Sequence, residues 1–475
     1  MSDDTSPPTR LPWLLRILVL VLLSLHLAAP RFGEAAAWGL WPITFCAPAV
    51  RWALALLIAA VCLPAFSGRL LAILSARRPA DAEPPPAAPT GRFIALALLA
   101  MPVFWAFRLV HTRWGDAYIL TNAIPFPDPA LRLVYTWQAP LTVFWHARLW
   151  ALGQRLWQWP DAFPAYAVTS VAAGAVYVFA VLQLAWEVGR SRGQRLLMAG
   201  LLLSLGMMQL FFGYVENYTL PAAAIMLFLW LAARTLVGKT PLWITAAALG
   251  FVNALHPSTL NLAPALLLLT ALSARRSGWP RSLLQTAAPL LLIGLGVVAM
   301  METGGHGLQT LFSSDRPGGG DGRWLAPLWA TTTRWEHYTM FSWEHLLDIV
   351  NQQLLSAPVS LAAVLLCLAA ARGQVKALLD SAAPAHPGFG RFLAVAAAGS
   401  LLFILLWNPD YGGQRDWDLF SLSSLPLTAL AGLLLGRSLS DERARLEAAL
   451  ALVGLSAFHT AAWIFQNTRP WEWPQ

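Results

Sequence analysis

Residues 165–195 read AYAVTSVAAGAVYVFAVLQLAWEVGRSRGQR. Positions 165–186 carry no charged side chain, and the run ends on Glu187 followed by Arg190, Arg192 and Arg195. An uncharged apolar run of about 18 residues or more is long enough to cross a bilayer as a helix. A helix is required because hydrocarbon offers the backbone no other hydrogen-bond partners. Arginines just past the run mark its cytoplasmic end. Outward from this stretch the same alternation recurs. Apolar runs lie at roughly 12–29, 50–66, 93–110, 165–187, 196–213, 219–236, 241–255, 258–272, 283–301, 355–371, 392–407, 420–436 and 446–465. The reading is an all-α polytopic transmembrane bundle of about thirteen spans.

Composition excludes the soluble alternatives. Of 475 residues, 57% are hydrophobic and 12% charged, against about 25% charged in an average soluble domain. So few charges cannot cover a globular surface of this size. The net charge of +8 sits in short clusters between apolar runs rather than in a basic stripe, so nucleic acid is not an expected partner. Those clusters are Arg69, Arg77, Arg78 and Arg92; Arg190, Arg192 and Arg195; Arg234 and Lys239; Arg275, Arg276 and Arg281; Arg372, Lys376 and Arg391; and Arg437, Arg443 and Arg445. They occupy every second connection, which puts the N terminus in the cytoplasm and the C terminus outside. Arg10, the first run and the small residues Ala35–Ala37 imitate a signal peptide, but the run is long for that and is read as a retained span. Cys46, Cys62 and Cys367 form neither a disulfide framework nor a CxxC metal pattern. Most of the 24 tryptophans fall at or beyond the outer ends of the runs, where aromatic rings lie in the headgroup layer or stack on a ligand.

The chain divides into an N-terminal two-span hairpin (1–78), a Pro/Ala-rich cytoplasmic linker (79–92), a transmembrane module (93–301), an extracytoplasmic loop (302–354) and C-terminal spans (355–475). A second long outer loop, 111–164, lies inside the module. Its segment LRLVYTWQAPLTVFWHARLWALGQRLWQW (131–159) has the composition of interfacial helices, with Pro140 predicted to break it in two.

Polar residues gather at the outer ends of the runs. Asp116 lies in HTRWGDAY, Glu216 and Asn217 in GYVENYTLP, and His256 in HPST. Glu302, His306, Asp315, Asp321, Arg334, Glu336, His337, Glu344 and His345 populate the second outer loop. Asp410, Arg415, Asp416 and Asp418 populate NPDYGGQRDWDLF. Carboxylates at a membrane boundary are costly unless paired or used. Each also has a plain structural reading: Asp116, Asp416 and Asp418 as helix caps, Glu216 and His256 as turn residues, and the loop charges as solvated surface. DRPGGGDGR (315–323) lacks the Lys-Ser/Thr of a phosphate-binding loop, and the Glu-His pairs are not at zinc spacing.

On these residues the chain resembles the GT-C superfamily of integral-membrane glycosyltransferases, in its protein-mannosyltransferase-like, family 39-like branch. WGDAY with Asp116 resembles the Gly-Asp motif of that family's first long outer loop. Segment 131–159 resembles its interfacial pair, and GYVENY a short outer turn. The layout covers roughly 93–436. The acidic pair common after that glycine is here Asp116-Ala117, leaving a single carboxylate at this position. The resemblance implies a polyprenyl-phosphate sugar donor, a lipid, glycan or protein acceptor, and transfer with inversion on the extracytoplasmic side of what composition favours as a bacterial inner membrane. Asp116 is then the expected catalytic base. Arg113, Tyr118, Arg132, Glu216, Asn217, His256, Arg334, His337, Arg415, Asp416 and Asp418 are the expected substrate-binding residues. Arg132, Arg334 and Arg415 among them suit a phosphate. No cofactor is expected, and a divalent metal stays open. The rival readings are a transporter or flippase for a lipid-linked or anionic solute, which Pro64, Pro264 and Pro289 within runs keep open, and a non-catalytic envelope assembly protein.

Overall fold

The computed structural model describes residues 10–75, 88–312, 340–381, 383, 385–409 and 412–471. Every regular element among them is helical. Eight helices are long and apolar enough to cross a membrane: Leu11–Phe32, Phe163–Val188, Thr219–Leu236, Pro257–Ser277, Trp279–Thr303, Phe389–Leu406, Trp417–Ser438 and Glu442–Asn467. The other apolar runs are present in shorter or bent form. Thr90–Ala106 and Leu242–Leu255 are short apolar helices, and Arg192–Leu203 continues as a 3₁₀ segment, Gly206–Phe211.

Two runs break sharply, and proline accounts for both. Pro48–Val61 meets the next helix, which opens on Pro64, at 89°. A proline has no N–H to extend a preceding helix but fits the first turn of a new one. Trp343–Ser356 meets Ser360–Ala370 at 98°. There Ala357 precedes Pro358 and leaves the helical region, with φ −152° and ψ 70°, as residues before proline do. The helix beginning at Trp343 lies within the sequence range expected for the second outer loop. Its inward positions include the polar residues His345, Asn351, Gln352 and Gln353, so hydropathy alone hides it.

Pro140 likewise behaves differently from the expected break. It is the first residue of an 18-residue helix, Pro140–Trp157, which lies outside the set of helices apolar enough to span. Earlier in this loop come a short helix, Ala117–Ala123, immediately after Asp116, and a 3₁₀ turn, Pro129–Leu131.

The helix Trp417–Ser438 is the axle of the bundle. Over its most apolar window 94% of residues are buried, against 6% for Trp279–Thr303 at the periphery. A helix apolar on all sides is stable only when surrounded or in lipid. Here Phe389–Leu406, Ser360–Ala370 and Arg192–Leu203 surround it. The N-terminal hairpin is not held apart. Leu11, Leu15, Val19 and Leu22 join the same core, and their helix packs on Glu442–Asn467 and Ser360–Ala370. The end of the linker, from Thr90, is already helical. At the arginine-rich end, Glu187 ties Lys239 at 2.6 Å and His386 at 3.1 Å. Asp116 lies at the opposite end.

Candidate active site

The turn Trp114-Gly115-Asp116 is fixed from three directions. The Trp114 indole N–H donates to Asn467 Oδ1 at 2.7 Å, and its ring packs on Trp463 at 5.2 Å. The Gly115 N–H donates to the Arg415 carbonyl at 3.0 Å. The Asp116 N–H donates to Glu216 Oε1 in a short hydrogen bond. Gly115 has φ +48°, a left-handed conformation that glycine adopts without steric cost. A Cβ there would run into the Glu216 carboxylate and lie 3.1 Å from Asp418 Oδ2.

Glu216 and Asp418 thus stand behind the turn. Glu216 Oε2 accepts from the Asn217 N–H at 2.9 Å. Asp418 accepts from the Tyr214 hydroxyl at 2.9 Å and from the Leu419 N–H at 2.8 Å. Both carboxylates are buried. Burial first, and then the neighbouring Asp418 and Asp116 charges, push the Glu216 pKa well above the usual carboxylate range. A group whose pKa is raised on folding stabilises below its unfolded value and loses that contribution as pH rises. The melting temperature is therefore expected to fall from mildly acidic to alkaline pH on account of this group. Glu216→Gln should flatten that fall in a detergent melting series. A wild-type melting temperature that rises with pH would contradict the arrangement.

In front of the turn lies a cavity of about 610 Å³. Its polar wall holds Asp116, Gln138, Asn217, Tyr218, His256, Ser258, Asn261 and Asp416. Asp116 and Asp416 occupy the residue before the helices Ala117–Ala123 and Trp417–Ser421, yet neither side chain makes a capping bond. Asn217 Oδ1 accepts from the Tyr166 hydroxyl at 3.4 Å. The His256 Nδ1 accepts from the Ser258 N–H at 3.2 Å and lies 2.8 Å from its hydroxyl. Burial lowers the His256 pKa to about 4, so the ring is neutral near pH 7 and carries its proton on Nε2. The facing wall is apolar: Leu260, Pro264, Leu402, Phe403, Leu406 and Leu419. Gly399 lets the helix Phe389–Leu406 approach the backbone of Asn261 closely enough to shape it.

Of the residues singled out in the sequence, Asp116, Asn217, His256 and Asp416 line this cavity together. Glu216 and Asp418 form its backing. Arg113 is drawn away, 3.2 Å from Glu34. Arg132 lies over the Trp150 ring at 5.2 Å and donates to the Phe126 carbonyl. Neither of these arginines, nor the exposed Tyr118, is on the wall. Arg415 is in the loop beside Asp416, with its carbonyl on Gly115. Arg334, His337, Glu336, Asp315, Asp321 and Asp410 lie outside the described residues. Among the described residues no three His, Cys, Asp or Glu side chains converge as a metal site. Sequence reasoning missed Gln138, Tyr218 and Asn261 on the polar wall. Gln138 lies in segment 131–159, whose mixed apolar, aromatic and basic composition reads as interfacial and masks its amide.

Architecture and cavity together describe an integral membrane protein of the polytopic helical class. No protein-family model matches the chain, and no curated protein does. Among solved structures it is similar to ArnT from Cupriavidus metallidurans bound to undecaprenyl phosphate, with a TM-score of 0.50 and 12% identity. The likeness covers 80% of this chain and 78% of that one. At that identity it is a likeness of fold.

Proposed function

We propose that the protein is a membrane glycosyltransferase that moves a sugar from a polyprenyl-phosphate donor to an acceptor hydroxyl. The observation that carries this reading is the two-sided cavity. Leu260, Leu402 and Leu406 form its apolar wall while remaining 58%, 53% and 43% exposed. In a membrane-spanning bundle, surface of that kind faces lipid. A long isoprenoid tail would leave the cavity there while its phosphosugar stays against the carboxylates. The fold shared with a protein solved with undecaprenyl phosphate supports the same donor class. The charge alternation along the sequence puts this end of the bundle away from the cytoplasm.

In the transfer, the acceptor oxygen bonds to the anomeric carbon as the bond from that carbon to the phosphate oxygen breaks. The hydroxyl proton passes to the Asp116 carboxylate, and polyprenyl phosphate leaves. A single displacement inverts the anomeric centre. Asn217, neutral His256 and Gln138 supply hydrogen bonds to sugar hydroxyls. Arg415, which precedes the lining residue Asp416, is the arginine suited to a phosphate.

Purified protein in lipid nanodiscs, given polyprenyl-phosphate sugars and glycolipid, glycan or peptide acceptors, is expected to release polyprenyl phosphate. Leu402→Asp should raise the KM for a long-tailed donor and leave that for a short-tailed analogue unchanged. Donor binding without release would replace this reading with carriage or assembly.

A further inference from the structure

We infer that the segment Glu34–Gly39, at the turn of the N-terminal hairpin, is a positioning element for the site, and that Glu34 is its central residue. The inference rests on the transferase reading above. Glu34 lines no part of the 610 Å³ cavity. Its Oε1 accepts from Arg113, three residues before Asp116, at 3.2 Å, and from the Gln414 amide, two residues before Asp416, at 2.9 Å. One carboxylate oxygen therefore joins the two loops that bring the lining carboxylates together. Arg113 is held for this role by the rings of Trp114 and Trp471, at 4.6 and 5.1 Å.

The rest of the segment fixes Glu34 against the bundle. The buried Trp38 donates its indole N–H to Asp348 Oδ1 at 2.8 Å. The other oxygen of Asp348 accepts from the Gly413 N–H at 3.0 Å, so a second carboxylate ties the segment to the Asp416 loop. Gly39 donates to Asn351 Oδ1 at 2.9 Å, and Asn351 donates back to the Ala36 carbonyl at 3.0 Å. Gly39 presses so close to the Asn351 backbone that a Cβ would collide with its carbonyl. The hairpin turn thus grips the Asp116 loop, the Asp416 loop and the Trp343–Ser356 helix from behind.

An ion pair with side chains as accessible as these, 22% for Arg113 and 38% for Glu34, stabilises a fold little. Small displacements of reacting groups, by contrast, lower rates steeply. Glu34→Ala is therefore expected to lower kcat about tenfold, with the donor KM within about twofold and the melting temperature near wild type. Glu34→Gln keeps a carbonyl oxygen for both donors and should recover most of the loss. Glu34→Ala combined with Gln414→Ala should cost no more than the larger single effect, since both cut one bridge. Hydrogen exchange supplies a readout that needs no substrate. In Glu34→Ala the amides of Gly115 and Gly413 should exchange faster than in the wild type. Wild-type turnover and exchange in Glu34→Ala, or a kcat loss that simply follows a lowered melting temperature, overturns the inference. If the wild-type protein releases no polyprenyl phosphate yet the exchange change is seen, the transferase reading fails while the coupling of the two loops stands.

Discussion

Asp116→Asn is expected to lower sugar transfer by about 10²- to 10⁴-fold, the range that a positioned general base contributes. The amide keeps the size and shape of the carboxylate but cannot take up the acceptor's proton. The contact that holds this residue to Glu216 comes from its backbone N–H, so the substitution leaves that contact in place. Donor binding should survive. Turnover of purified protein, measured alongside a monodispersity check, decides the matter. Asp416→Asn is the natural comparison, because Asp416 is the other carboxylate on the same wall. If Asp416→Asn abolishes transfer and Asp116→Asn does not, the two residues exchange roles in the mechanism.

The second large effect comes from a residue with no functional group. Gly115→Ala should reduce kcat by about 10²-fold, the scale of an ångström-sized misplacement at a reacting centre. The left-handed φ of +48° costs an L-residue about 1–2 kcal/mol. The new methyl group would also press on Glu216 and Asp418. Both are buried and hydrogen-bonded, so the turn rather than the wall must yield, and Asp116 moves with it. A variant that inserts normally and retains full turnover would show that the carboxylates behind the turn can move aside.

Much of the architecture is legible in the sequence because lipid imposes a simple rule on it. The run at 165–187 is found as the helix Phe163–Val188, displaced by only a residue or two. What escapes is set by pairing across long stretches of sequence. Nothing local to Arg113 announces that Glu34 will take it. Nothing local to Glu216 announces that its oxygens will be spent on the N–H groups of Asp116 and Asn217 rather than on a ligand. Proline is ambiguous for a related reason. Pro140 can equally end one helix or begin the next, and only the packing of Pro140–Trp157 selects the second. The four lining residues Asp116, Asn217, His256 and Asp416 share a simpler signature, a polar side chain on a short connection between apolar runs. That signature locates the end of the bundle but not which side chains point into the cavity.

The order in which the chain is made gives the buried axle another significance. Helices emerge from the ribosome one after another, and the segment with 94% of its window enclosed follows all three of the helices that surround it. Earlier helices must wait in the bilayer around a gap that only Trp417–Ser438 fills. The first helix meets Ser360–Ala370 and then Glu442–Asn467 only after most of the bundle has been made. Asp416 and Asn467, which complete the cavity wall and anchor Trp114, belong to this late portion. The cavity wall is thus incomplete until these late residues have been made.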